Sequence, residues 1–219
     1  MRVLLVRHPE PIGATGLCYG RTDLDVTPES VTRLADRVHE ILGTSVILPT
    51  ETPVFLPKAG SPDDDGSLVG DAEPRSAVPQ LAVLSSPLKR CTSLAQALGT
   101  YECDPRLLEL DFGSWEGVSW DDIDRTDFDR WAADYVHNRV PGGESWSDVR
   151  DRVDSFLADM RKRPDSTAVV VTHAGVIRPV LSLVLGFPLE STWSIDIPFG
   201  CIAELDLTAE SGKLVSLTP

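Results

Sequence analysis

Residues 167–175 read Thr167-Ala168-Val169-Val170-Val171-Thr172-His173-Ala174-Gly175. A short β-branched run without polar alternation, closed by a glycine turn, predicts a strand buried on both faces. Working outward, the same pattern recurs at residues 2–6 (RVLLV), which end in Arg7-His8-Pro9, and at residues 81–85 (LAVLS), which lead into Ser86-Pro87. Helical stretches separate these runs. Thr27-Pro28-Glu29 opens one, with Thr27 as N-cap and Pro28 at the first helical position. Val31, Leu34, Ala35, Val38 and Leu42 then share a face, and Gly43 closes it. Ser86 and Pro87 predict a second helix start, residues 119–137 and 144–161 read as helical, and a further helix runs from His173-Ala174-Gly175 to about Gly186. Residues 106–117 read as a loop or edge segment, and 201–208 with 213–217 as an antiparallel pair. Strands alternating with helices predict an α/β fold, a three-layer α/β/α sandwich with a mostly parallel central sheet. Ligands of such sheets bind at the carboxyl ends of the strands.

The chain has 219 residues, which suits a single domain over 1–219, with 42% hydrophobic and 25% charged residues. Its net charge of −14 argues against nucleic acid and anionic membranes as partners, so a phosphate site must gather its own arginines. Cys18, Cys91, Cys103 and Cys201 have no CxxC spacing, which speaks against a zinc or dithiol centre and fits a reducing compartment. No apolar run is long enough to span a membrane, and the first is too short for a signal-peptide core; the expectation is a cytoplasmic protein. Residues 49–79 are rich in proline and glycine and carry Asp63-Asp64-Asp65, which predicts a flexible insertion. A solvated loop is favoured there over a lid. No segment advertises an interface, although a homodimer is compatible with the sequence.

The strand-end rule selects three places: Arg7-His8, Ser85 to Arg90, and His173-Ala174-Gly175. The chain has four histidines, and two of them stand at such ends. Either alone could be a satisfied rim residue; the pair, beside an arginine and a glycine turn, favours function. Arg90 falls in the first turn of a helix, where free N–H groups and the helix dipole favour an anion and a guanidinium adds bidentate hydrogen bonds. His39 and His137 are expected at the surface.

Arg7-His8-Pro9-Glu10 resembles the Arg-His-Gly-Glu signature of the histidine phosphatase superfamily, which includes cofactor-dependent phosphoglycerate mutases. Ser86-Pro87-Leu88-Lys89-Arg90, Leu108-Glu109-Leu110-Asp111-Phe112-Gly113 and Thr172-His173-Ala174-Gly175 resemble its other segments, in order. The resemblance implies a phosphoglycerate mutase-like fold and a metal-independent hydrolysis of phosphomonoesters with no cofactor. His8 would be the nucleophile, Arg7, Arg90 and His173 would clamp the phosphoryl group, and Glu109 would serve as acid and base, with Glu116 and Asp111 as its rivals. Pro9 departs from the family glycine and removes one backbone N–H from the phosphate site.

Cys18-Tyr19-Gly20-Arg21-Thr22-Asp23, Ser114-Trp115-Glu116-Gly117, Trp120-Asp121-Asp122 and Pro141-Gly142-Gly143-Glu144-Ser145 are similar to the α-ribazole phosphatases of cobalamin nucleotide-loop assembly. That likeness implies a small-molecule substrate contacted by Tyr19, Gly20, Arg21, Trp115 and Gly175, with Tyr19, Trp115 and Trp120 stacking on its flat base. The competing readings are a broad-specificity phosphatase, a mutase-like phosphotransferase, a metal hydrolase using His8, His173 and Glu109, and a phosphate-binding module without turnover.

Overall fold

Val3, Leu4, Leu5 and Val6 offer no polar face, and the structure spends all four inside a sheet. The computed structural model describes residues 1–43 and 81–219, so the expected insertion at 49–79 lies outside the described residues. In β1 (Arg2–Arg7), Val3 and Leu5 enter one hydrophobic core, and Leu4 and Val6 the other. β2 (Leu81–Ser85) is followed by the two-residue β3 (Glu102–Cys103). β4 (Thr167–Thr172) sends Ala168 and Val170 to the first core and Val169 and Val171 to the second. This is the period-two distribution that a doubly covered sheet requires. Burying one such side chain fully is worth ~1.5–3 kcal/mol, so the sheet's interior supplies stability while its rim is free for chemistry.

The strand order is β3-β2-β4-β1-β5-β6, where β5 spans Ile202–Leu207 and β6 spans Gly212–Thr218. β1 to β4 pair in parallel, and β5 and β6 close one edge antiparallel, as the turn at Glu210-Ser211-Gly212 implied. α1 (Pro28–Leu42) and α2 (Lys89–Leu98) cover one face through Leu34, Val38, Leu94 and Ala95. α3 (Arg125–Ala132) packs Phe128 and Trp131 on a small separate cluster of Cys18, Trp115 and Val140, and Trp131 also touches the first core. α4 (Trp146–Met160) and α5 (Ala174–Leu185) cover the second face through Val149, Val153, Phe156, Ile177 and Val180. The result is the expected three-layer sandwich. Among the described residues no helix is long and apolar enough to cross a membrane.

Three sequence expectations need correction. The helix after β2 starts at Lys89 rather than at Ser86, with Leu88 as its N-cap residue. Its orphan Lys89 N–H donates to Asp23 Oδ1 at 2.7 Å, so the cap comes from a distant loop, and Ser86 is released for another task. The stretch 119–137 is helical only over Arg125–Ala132, because Asp124 accepts from the N–H groups of Thr126 and Asp127 and fixes the start there; Trp120–Asp122 forms a separate 3-10 turn. α4 begins at Trp146 instead of Glu144, because Ser145 and Asp148 form a reciprocal capping box.

Candidate active site

The register of β1 against β4 sets Arg7 opposite Thr172, so the next residues, His8 and His173, leave the sheet side by side. The His8 N–H donates to the Thr172 carbonyl at 3.0 Å, and the two rings meet edge to face with centroids 4.9 Å apart. β2 lies on the other flank of β4, and Ser86 N–H donates to the Val171 carbonyl at 2.9 Å. The three strand ends picked out in the sequence thus meet at one rim.

Arg90 stands between the two histidines and is fully buried. Its Nη1 donates to the Thr22 carbonyl (2.8 Å) and its Nη2 to the Gly20 carbonyl (2.6 Å). Its Nε faces His8 Nε2 and His173 Nδ1, each at 3.3 Å. Among the described residues neither Arg90 nor Arg7 forms an ion pair with a carboxylate. Arg7 donates from Nη1 to the Ile197 carbonyl (2.5 Å), lies 3.9 Å from the Phe199 ring, and keeps its Nε buried without a hydrogen-bond partner. A buried cation without a counter-charge is costly, and so is a buried donor without an acceptor. The cheapest remedy for both is an anion with several acceptor oxygens.

The protonation state of His8 follows from its neighbours. Its Nδ1 lies 2.7 Å from the Pro9 carbonyl, which can only accept, so Nδ1 carries the proton and Nε2 presents its lone pair. Burial, then Arg90 and Arg7, hold the ring well below its ordinary pKa despite the Pro9 hydrogen bond, which acts the other way. What this fold takes from residue 9 is its carbonyl, and proline supplies that as well as glycine does. His173 is also held far below its ordinary value, chiefly by burial and then by His8 and Arg90. Its Nε2 is 2.8 Å from Ser86 Oγ, the group freed when α2 started late. Arg90 Nε donates to His173 Nδ1, so the ring proton sits on Nε2 and is donated to Ser86 Oγ.

The three candidate carboxylates separate cleanly. Glu116 accepts from the backbone N–H groups of Gly20, Arg21, Thr22 and Phe112, and from the Thr22 hydroxyl. Burial alone would raise its pKa, but these hydrogen bonds outweigh it and hold the carboxyl below the usual range. Asp111 accepts from the Gly113 N–H at 2.8 Å, closing a turn. Glu109 accepts only from the Leu110 N–H (2.9 Å) and the Gly175 N–H (3.2 Å), and lies within electrostatic reach of Arg7, Tyr19 and Arg178. Glu109 and Asp111 both keep lone pairs to spare, and Glu109 is the one bonded to Gly175, two residues after His173. Gly175 must be glycine here, because a Cβ would lie 1.7 Å from Glu109 Oε1.

Of the expected substrate contacts, Tyr19 lies with its ring 5.3 Å from the Arg90 guanidinium carbon. Gly20 has no room for a side chain, since a Cβ would meet the Leu110 carbonyl at 1.8 Å, and it contributes its carbonyl to Arg90. Arg21 donates from Nη2 to Glu144 at 3.1 Å, which Arg152 also holds, and its Nε is buried without a hydrogen-bond partner. Trp115 is a correction, being 4% exposed and packed against Phe128 and Trp131, so it is core and cannot stack on a ligand. Trp120 is 39% exposed and edges onto Phe112. Cys18 is packing as well; burial, then Glu116, pushes its thiol up to about 12. His137 is exposed and bonded to Asp134, whereas His39 is half-buried rather than at the surface.

The sequence reading missed Phe199, Arg152 and Arg178. Arg152 donates to the carbonyls of Arg106 and Glu109 and so fixes the strand of chain that carries Glu109. Helix periodicity marks it only as a polar position, and residues 189–199 show no pattern at all.

Comparison with known proteins bears on this geometry. The family model of the histidine phosphatase superfamily, branch 1, matches residues 72–218. Phosphoserine phosphatase 1 of Hydrogenobacter thermophilus is 34% identical over 128 residues, covering 54% of this chain and 59% of its own. The adenosylcobalamin/alpha-ribazole phosphatase of Escherichia coli is 27% identical over 114 residues, covering 50% and 56%. These two alignments span little more than half of each relative. The solved alpha-ribazole phosphatase of Shigella flexneri shares the fold with a TM-score of 0.75 at 22% identity, over 100% of this chain and 96% of that one. The likeness carried by four short motifs extends to the folded chain, and the protein belongs to the histidine phosphatase superfamily, branch 1.

Proposed function

We propose that this protein hydrolyses a small phosphomonoester through a phosphohistidine on His8, without a metal ion, and that its preferred substrate is α-ribazole 5′-phosphate. The observation that carries the hydrolytic reading is the buried, carboxylate-free Arg90, whose Nε is aimed at both histidines. A phosphoryl group seated there receives donors from Arg7 and Arg90. His173 accepts from Arg90 Nε at Nδ1 and donates from Nε2 to Ser86 Oγ, so it holds the guanidinium that faces the phosphoryl group. His8 Nε2 attacks phosphorus, the P–N bond forms as the ester P–O bond breaks, and protonated Glu109 gives its proton to the leaving alkoxide. Glu109 then takes a proton from water, whose oxygen attacks the phosphohistidine and releases inorganic phosphate and neutral His8. The two arginines supply the positive charge that a divalent cation would otherwise bring.

The substrate reading rests on the loop segments similar to α-ribazole phosphatases and on the relative of that activity. Phosphoserine is the second reading, supported by the phosphoserine phosphatase relative. The test is phosphate release from both esters and a panel of other phosphomonoesters, with EDTA present, by wild type and His8→Ala. We expect release to persist in EDTA, to favour α-ribazole 5′-phosphate, and to fall roughly 10⁴-fold or more in the variant, as loss of a nucleophile does elsewhere. Full activity in His8→Ala overturns the mechanism. Loss in EDTA with recovery on added metal overturns metal independence, and equal slow release from every ester overturns the substrate.

A further inference from the structure

Residues 192–199 border the phosphate cradle, and two arginines pin them there. Arg178 Nη1 donates to the carbonyls of Thr192 and Ile195, and Arg7 Nη1 to that of Ile197. Phe199, at the end of the segment, lies against Arg7 and 5.6 Å from the His8 ring. Arg178 is within electrostatic reach of both Arg7 and Glu109. The wall therefore runs from Phe199 beside His8 to the carbonyls held by Arg178.

Trp193 stands at the far end of this wall. It is 45% exposed, yet its position is held: its ring lies 5.2 Å from Trp146, 5.7 Å from Tyr135 and 4.5 Å from the Arg178 guanidinium carbon. Trp146 in turn lies against Gly175, the residue whose N–H binds Glu109. The exposed indole is thus one side chain removed from the carboxylate on whose side the alcohol departs. A single exposed tryptophan needs no special explanation. One that is fixed by three partners beside a reaction centre is a preorganised apolar surface, and preorganisation lowers the cost of binding.

We infer that Trp193 is the specificity-determining contact for a planar heteroaromatic ring in the leaving group, which packs on the exposed part of the indole. The inference rests on the hydrolytic reading above for the direction in which the alcohol leaves. It also moves the aromatic contact from Trp115, which is buried, to a residue that no motif marked. A benzimidazole or another flat base offers a face to pack on this surface, and the side chain of serine offers none.

The test is the ratio of kcat/KM for α-ribazole 5′-phosphate to that for phosphoserine, measured within each protein. Trp193→Ala should lower this ratio roughly three- to tenfold, the range for one aromatic contact, through KM more than kcat. Trp193→Phe should restore most of it. Should the alanine variant not fold, Trp193→Leu keeps the apolar bulk, removes the aromatic face and reads the same ratio. An unchanged ratio overturns the inference. Equilibrium binding of α-ribazole 5′-phosphate to His8→Ala and to His8→Ala/Trp193→Ala separates the two readings. Weaker binding by the double variant supports the subsite even if wild type releases no phosphate, and equal binding by both overturns it.

Discussion

Two neighbouring regions use the same kinds of groups to opposite ends. Around Glu116 every lone pair is spoken for: four backbone N–H groups and one hydroxyl converge on one carboxylate, and the loop from Gly20 to Thr22 is locked. In the neighbouring region Arg90 is buried without an ion-paired carboxylate among the described residues, and half-buried Arg7 keeps a buried Nε with no acceptor. The first region is finished by folding and the second is left to be finished by a ligand. They are coupled, since the loop that Glu116 locks presents the carbonyls of Gly20 and Thr22 that hold Arg90. Stability is spent where hydrogen bonding is complete, and function resides where it is not.

The sharpest way to break the contrast is to remove the unsatisfied cation. Arg90→Met should lower kcat/KM by about 10³-fold or more, as loss of a principal transition-state donor does. It should leave the melting temperature nearly unchanged, because relief of an uncompensated buried charge offsets the loss of partners by the Gly20 and Thr22 carbonyls. Inorganic phosphate at about a hundred times its Kd should stabilise wild type by about 2.7 kcal/mol and the variant hardly at all, in thermal melts with and without phosphate. A large loss of stability without phosphate would mean that Arg90 is a structural group like Glu116.

The converse change breaks the finished region. Glu116→Gln sets an amide NH2 against backbone donors and should cost about 2 kcal/mol in denaturant unfolding. Its effect on kcat/KM should be smaller than that of Arg90→Met, because Glu116 reaches the cradle only through two carbonyls. An activity loss as large as that of Arg90→Met with stability intact would place Glu116 among the reacting groups.

The smallest effect is in pH. His8 and His173 are held well below the ordinary histidine pKa, by burial first and by neighbouring positive charge second. Below about pH 6.5 the unfolded chain takes up protons that the native one refuses, so stability falls as pH falls. Each histidine adds at most about 1.4 kcal/mol per pH unit to that slope until its native pKa is reached. Denaturant melts at pH 7.5, 6.5 and 5.5 should show a shallower decline in His8→Asn than in wild type. Identical slopes would mean that His8 titrates normally in the folded protein.

The strands β1, β2 and β4 were legible because a sheet buried on both faces imposes a continuous apolar run, and such runs are read residue by residue. His8, Arg90 and His173 were legible because strand ends and a helix start are local events. The assignment of Ser86 as a helix cap failed because Asp23, 66 positions away, supplies the acceptor for Lys89. Trp115 and Trp193 illustrate the rest. Both are single tryptophans without periodic context, and only packing decided that Trp115 closes a small core while Trp193 stays half-exposed against Trp146.

Taken alone, the sequence determined the layered α/β fold, the rim at which His8, Arg90 and His173 meet, and the family, since each depends on short-range pattern. Tertiary structure decided which of three carboxylates is bonded to Gly175 beside His173, which tautomer His8 adopts, that Arg21 is bound to Glu144, and which indole faces solvent. Those outcomes depend on hydrogen-bond partners and neighbours drawn from distant parts of the chain, and no local pattern encodes them.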